Sequence, residues 1–219
     1  MLTSSKKWPM LVGALAILAS EFLLRNVFLP MPFSPRQVAL IAVLEWLVLL
    51  LLVEFWLPKM EGQTLESLGW GKWQWRYLWL GAGGFVLAFI ASALLGWALE
   101  AAGLGSLRTL QPMLKHLDPL TLFSLFLTST ILEEILYRGY LIERLNALTG
   151  KLWLAALISG IAFVLVHWKF FGLGAMLNVS AISAALTLLY LKERSLWPCM
   201  VLHGLNNLLA FLIFPLLIS

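Results

Sequence analysis

From Trp8 to Leu29 the chain runs 22 residues with only Glu21 and Arg25 charged, and similar apolar stretches recur along its 219 residues. A helix of about 20 apolar residues crosses the ~30 Å hydrocarbon core of a bilayer, and a helix satisfies its own backbone polar groups where water is absent. Repetition of such runs leaves no room for a separate soluble domain. The expected fold is all-α, a polytopic transmembrane helical bundle with about seven spans. They fall at about 8–29, 36–57, 75–100, 119–147, 152–171, 174–191 and 196–218.

Turn and cap residues support these boundaries. Pro30, Pro32 and Pro35 separate the first two spans, and Pro58, Gly62, Gly69 and Gly71 the second from the third. Gly103, Gly105 and Pro112 follow the third. Asp118-Pro119 reads as an N-cap followed by proline in the first turn. Gly150 ends the fourth span, Gly172 and Gly174 are expected to end the fifth, and Ser195 with Pro198 opens the seventh. Residues 1–117 are read as three N-terminal spans and 118–219 as a four-span core.

Charge is scarce, at 12% of residues with a net +4. The excess Lys and Arg flank the spans and show no basic run with interleaved aromatics, so no nucleic acid partner is expected. With the N-terminus cytoplasmic, Lys6, Lys7, Lys59, Lys72, Arg76, Arg144, Lys151, Lys192 and Arg194 lie inside, against Arg36, Arg108, Lys115 and Lys169 outside. That asymmetry favours this orientation. The first run is longer than a signal-peptide core and lacks a small-residue cleavage site, so it reads as a retained span. Several of the eleven Trp, among them Trp8, Trp56, Trp70, Trp73, Trp75 and Trp197, fall near run ends as interfacial anchors. One cysteine, Cys199, excludes an intramolecular disulfide and a cysteine-based metal site.

Ionisable side chains inside a bilayer are costly, so each asks for a reason. Glu21 and Arg25 stand four apart with Glu first, the spacing of a helix ion pair. Glu45 and Glu54 have no local partner. The second half is richer: Glu133, Glu134 and Arg138 on the fourth span, Phe163 and His167 on the fifth, His203, Asn206 and Asn207 on the seventh. Glu134 and Arg138 can pair on one helix face, leaving Glu133 turned about 100° away. The hairpin turn near Gly150 brings Glu133 and Glu134 level with His167. His203 lies only about two turns after Ser195, so on straight helices it falls nearer the cytoplasmic side than His167. Singly, each polar residue is explained as hydrogen-bonding glue or as a buried ion triad. Together they supply an acid, two imidazoles, an amide and a guanidinium.

The patterns Glu133-Glu134-x-x-x-Arg138, Phe163-x-x-x-His167 and His203-x-x-x-Asn207 resemble the CAAX-processing and bacteriocin-processing family of intramembrane endopeptidases, also called the abortive-infection family. Gly139 and Leu196-Trp197-Pro198 add to the likeness, which covers roughly residues 120–212. The resemblance implies an endopeptidase acting on a peptide or membrane-anchored protein, with Glu133, Glu134, Arg138, His167, His203 and Asn207 as its catalytic set. On that reading Glu133, assisted by His167, deprotonates a water. His203 and Asn207 donate to the oxyanion, and Glu134 with Arg138 orients the site. No cofactor is expected.

Zinc is the alternative, since two His and a Glu form a catalytic zinc set. Asn is a poor ligand, Arg138 opposes a dication, and the His-Glu-x-x-His spacing is missing. A proton-coupled transporter using the same groups as a relay, or a silent membrane scaffold or immunity protein, are readings of other classes. The expected location is a bacterial inner membrane. Oligomeric state is not readable.

Overall fold

The computed structural model describes residues 4–28, 34–103, 114 and 116–214, without the side chains of 4–6, 28 and 169–175. Pro30, Pro32, Gly105, Arg108, Pro112 and Lys115 lie outside the described residues.

Seven long helices form the described bundle. Helix α1 covers Ser4–Phe22 and continues as a π-helical turn, Leu23–Phe28. Helix α2 covers Pro35–Leu50 and continues in π-helical form through Leu51–Glu61. A 3-10 turn at Leu65–Leu68 leads to α3, Arg76–Ala101. Helix α4 is Pro119–Thr149, α5 Leu152–Val166, α6 Trp168–Glu193, and α7 Leu196–Asn207 with a π-helical extension over Leu208–Ile213. By length and composition α1, α2, α3, α4 and α7 are each apolar enough to cross a membrane. With the lipid-facing character of their outer surfaces, this makes the chain an integral membrane protein: Leu87, Leu94 and Trp97 on α3 are exposed, as are Trp8, Trp79 and Trp153.

Helix α4 is the axis of the bundle. Every residue from Leu132 to Ile142 is buried. A helix buried on all faces must be enclosed by others. Around it pack Ala14 and Ile17 of α1, Leu49 and Leu52 of α2, Phe163 and Val166 of α5, Leu186 and Tyr190 of α6, and Cys199 and Leu202 of α7. Lipid tails are as apolar as these side chains, so close fit and interhelical polar contacts hold the bundle together. Gly81 of α3 shows how close: a Cβ there would lie 2.5 Å from Val201 Cβ and 2.7 Å from the Pro198 carbonyl oxygen of α7.

The caps behave as their residue types require. Asp118 accepts from the Thr121 amide and from its hydroxyl, at 3.0 and 2.6 Å. Gly150 adopts φ +69° at the end of α4. The break between α5 and α6 differs from expectation. It lies at His167, with φ −90° and ψ −4°, while Gly172 and Gly174 sit inside α6. Helix α5, with 15 residues, is about 22 Å long and stops short of a full crossing. Its end therefore falls inside the bundle. There its last carbonyl, that of Val166, accepts from the Asn26 side chain at 3.2 Å. Glycine permits a break, but a buried helix end forms where a partner meets its carbonyls.

Candidate active site

The π-helical segment Glu134–Leu141 carries the polar half of α4 through the centre of the bundle. Glu134 Oε1 accepts from Arg138 Nη1 at 3.1 Å, the local pair that the four-residue spacing implies. The Arg138 guanidinium also reaches the Ser183 hydroxyl on α6 at 3.3 Å and lies 4.2 Å over the Phe163 ring of α5. One arginine thus ties three helices together around Glu134.

Helix α5 is set against α4 by Ser159, whose hydroxyl donates to the Tyr137 carbonyl at 2.7 Å, and by the edge-on packing of Phe163 and Tyr137, 5.2 Å apart. One turn on, the His167 ring lies tilted against Phe163, with centroids 4.7 Å apart. Its Nδ1 donates to the Phe163 carbonyl oxygen at 2.6 Å, which makes Nε2 the ring atom able to take a proton.

Helix α7 closes the site. His203 Nδ1 donates to Glu134 Oε1 at 2.7 Å, and its Nε2 stands 3.8 Å from Glu133 Oε2. The His203 ring lies 6.1 Å from Phe163, so both histidines flank the same aromatic ring. The offset in depth expected from straight helices is thereby removed. Asn207, one turn further on, donates to the hydroxyls of Ser129 and Thr130 on α4 at 3.0 and 3.3 Å. Its amide hydrogens are engaged in holding α7 to α4.

Glu133 is not left alone on its face, as the local spacing had implied. Its Oε1 accepts from Arg25 Nη1 at 2.7 Å. Arg25 Nε in turn lies 3.2 Å from Glu21 Oε2 and 3.0 Å from Glu45 Oε1. The Glu21–Arg25 pair forms as expected, but it is part of a cluster reaching across three helices, and Glu45 finds its partner there. Glu133, Glu134, Arg138, His203 and Asn207 are all buried. The structure thus brings Glu133, Glu134, Arg138 and His203 into direct sequence, places His167 beside them across Phe163, and sets Asn207 on the neighbouring turn. Arg25, Glu45, Asn26, Ser129, Thr130 and Ser183 were missed. Only Arg25 and Glu45 had a signal, as charges in apolar runs.

Residues 115–209 match the model of the family described as type II CAAX prenyl endopeptidase Rce1-like. Over this segment the chain is similar to the Rce1-like family. The match takes in α4 to α7 and every residue of the three motifs. It leaves α1, α2 and α3 outside, so Arg25 and Glu45 reach the Rce1-like segment from beyond its border. No curated protein and no solved structure matches the chain.

Among the described residues no three His, Cys, Asp or Glu side chains group as metal ligands do. Glu133 Oε1 and Glu134 Oε1 each face a guanidinium, at 2.7 and 3.1 Å. Each guanidinium engages one oxygen, Oε1, of its carboxylate, and a cation there opposes a dication beside it.

Proposed function

We propose that the chain is an intramembrane endopeptidase with a metal-free, glutamate-dependent mechanism. The observation that carries the reading is the division of the Glu133 carboxylate. Oε1 is bonded to Arg25, while Oε2 faces His203 Nε2 across 3.8 Å with no direct bond between them. A general base must lie within reach of the proton it takes, and the Arg25 bond fixes Glu133 while leaving Oε2 without a direct bond and open to a water.

A water beside Oε2 gives its proton to Glu133, and the hydroxide oxygen attacks the scissile carbonyl carbon. The carbonyl π electrons move to oxygen, and His203, held by Glu134, donates to that oxyanion from Nε2. Since Nδ1 also donates to Glu134, this step takes His203 as an imidazolium from the outset, balanced by the carboxylates on either side, and its proton stays on the ring. One oxyanion donor is worth about 3 kcal/mol. The C–N bond then breaks, and the proton held by Glu133 passes to the leaving amine with His167 as relay. Arg138 keeps Glu134 in place and so fixes His203. Asn207 sets the position of α7 against α4, a different part from the direct donation its motif implied.

The substrate class that fits is a peptide or membrane-anchored protein reaching the buried site from the bilayer, prenylated CAAX-type tails among them. Charge flanking supports a cytoplasmic N-terminus, and a bacterial inner membrane is the proposed location. The test is turnover in proteoliposomes of fluorogenic peptides, farnesylated and unmodified, by wild type and Glu133→Gln. The variant should fold and lose at least ~10³-fold in kcat, and wild-type activity should persist in chelator with metal-free buffer. Parallel loss of folding and activity, or inhibition by chelator reversed by zinc, overturns the mechanism.

A further inference from the structure

Two consecutive residues of α1, both outside the Rce1-like segment, touch the candidate site on different helices, one at a candidate catalytic residue and one at the neighbour of another. Arg25 donates to Glu133 Oε1 on α4 at 2.7 Å. Asn26 donates to the Val166 carbonyl at the end of α5, the residue before His167, at 3.2 Å. Both lie in the π-helical turn Leu23–Phe28. π turns are rare in proteins and recur at functional sites.

The chemistry of the Arg25 contacts is unequal. Glu21 and Glu45 approach Nε as ion pairs, at 3.2 and 3.0 Å, but Nε makes no directed hydrogen bond. The directed bond goes to Glu133. A guanidinium buried only to balance charge needs one carboxylate partner. Here three carboxylates from α1, α2 and α4 surround it. The one receiving the oriented bond is the one whose other oxygen faces His203. That bond selects the rotamer of Glu133. Asn26 works on the backbone: it meets the carbonyl of a helix that ends inside the bundle, where an unmet carbonyl would cost several kcal/mol. The end of α5 sets the height of His167.

We infer that Arg25 and Asn26 are positioning residues of the site: Arg25 holds Glu133 with Oε2 presented to the reacting centre, and Asn26 holds the α5 terminus that places His167. The inference rests on the endopeptidase reading above. It makes the helices outside the Rce1-like segment part of the working site.

The experiment measures kcat and KM on a farnesylated fluorogenic CAAX-type peptide, with thermal unfolding in detergent alongside. The variants are Arg25→Lys, Arg25→Gln and Asn26→Leu. Lysine keeps the charge but offers a single ammonium that cannot reproduce the fork. Arg25→Lys should unfold within a few degrees of wild type yet lose about 10²-fold in kcat with KM unchanged, the signature of a misplaced group. Asn26→Leu should show the same split at about 10-fold. Arg25→Gln should be less stable and no more active than Arg25→Lys. Should Arg25→Lys fail to fold, the paired variant Arg25→Gln with Glu45→Gln removes a cation and an anion together and carries the same test. Folded Arg25→Lys, or the folded pair, with wild-type kcat overturns the role of Arg25 while leaving the endopeptidase reading intact. Wild-type kcat in Asn26→Leu does the same for Asn26. Absence of turnover by the wild-type protein overturns the endopeptidase reading and this inference with it.

Discussion

The imidazole of His203 is bonded to Glu134, at 2.7 Å, and only faces Glu133, at 3.8 Å. Two consecutive carboxylates on one helix therefore do different work. Glu134 accepts from His203 and Arg138 through the same oxygen and is locked in place. Glu133 is anchored from the opposite side by Arg25 and keeps one oxygen toward the histidine. Adjacent residues on a helix point to different faces, so a Glu-Glu pair is a direct way to serve two neighbours at once.

The lock around Glu134 predicts a stability effect. Arg138→Met leaves a buried carboxylate without its cation and removes the bond to Ser183, and should cost about 3–5 kcal/mol. Adding Glu134→Gln should return part of that loss, because the uncompensated charge is gone. Thermal unfolding in detergent measures both. Equal stability of Arg138→Met and wild type would show that the pair contributes nothing.

The close approach of α3 and α7 predicts a packing effect on the site. In Gly81→Ala the new methyl meets the Pro198 carbonyl oxygen, a backbone atom that cannot rotate away. Overpacking of this kind costs about 1–3 kcal/mol. Since α7 carries His203, turnover should fall as well. Gly83→Ala, whose Cβ meets nothing within 4 Å, is the control expected to match wild type in both measurements.

The start of α4 predicts a pH dependence outside the membrane-spanning segment. Hydrogen bonds from the Thr121 hydroxyl and amide hold the Asp118 carboxyl below its ordinary value of 3.8. A group depressed in the folded state stabilises fully above its unfolded value and loses that contribution as pH falls through the folded one. Protection of the Thr121 amide from hydrogen exchange, corrected for intrinsic rate, should therefore hold above pH 3.8 and fade below it. In Asp118→Asn the protection should show no such step. A step that persists in the variant would assign it to another group.

What the sequence determined by itself is what local spacing can encode. Apolar runs of bilayer length set the number and rough place of the helices. Asp118 and Gly150 set the two ends of α4, because a cap is a contact within a few residues. Glu134 and Arg138 pair because positions four apart share a helix face. Glu21 and Arg25 were legible for the same reason, and that local explanation hid the rest: the partners Glu45 and Glu133 lie on other helices, and Arg25 reaches Glu133 across 108 positions. No local pattern carries such a contact. The break at His167 in place of Gly172 was likewise decided by tertiary structure, since a helix ends inside the bundle only where another helix, here through Asn26, satisfies its carbonyl. The levelling of His203 with His167 depends on both packing against Phe163. Spacing along a helix fixes which face a residue takes, whereas its depth and its partners follow from how helices pack.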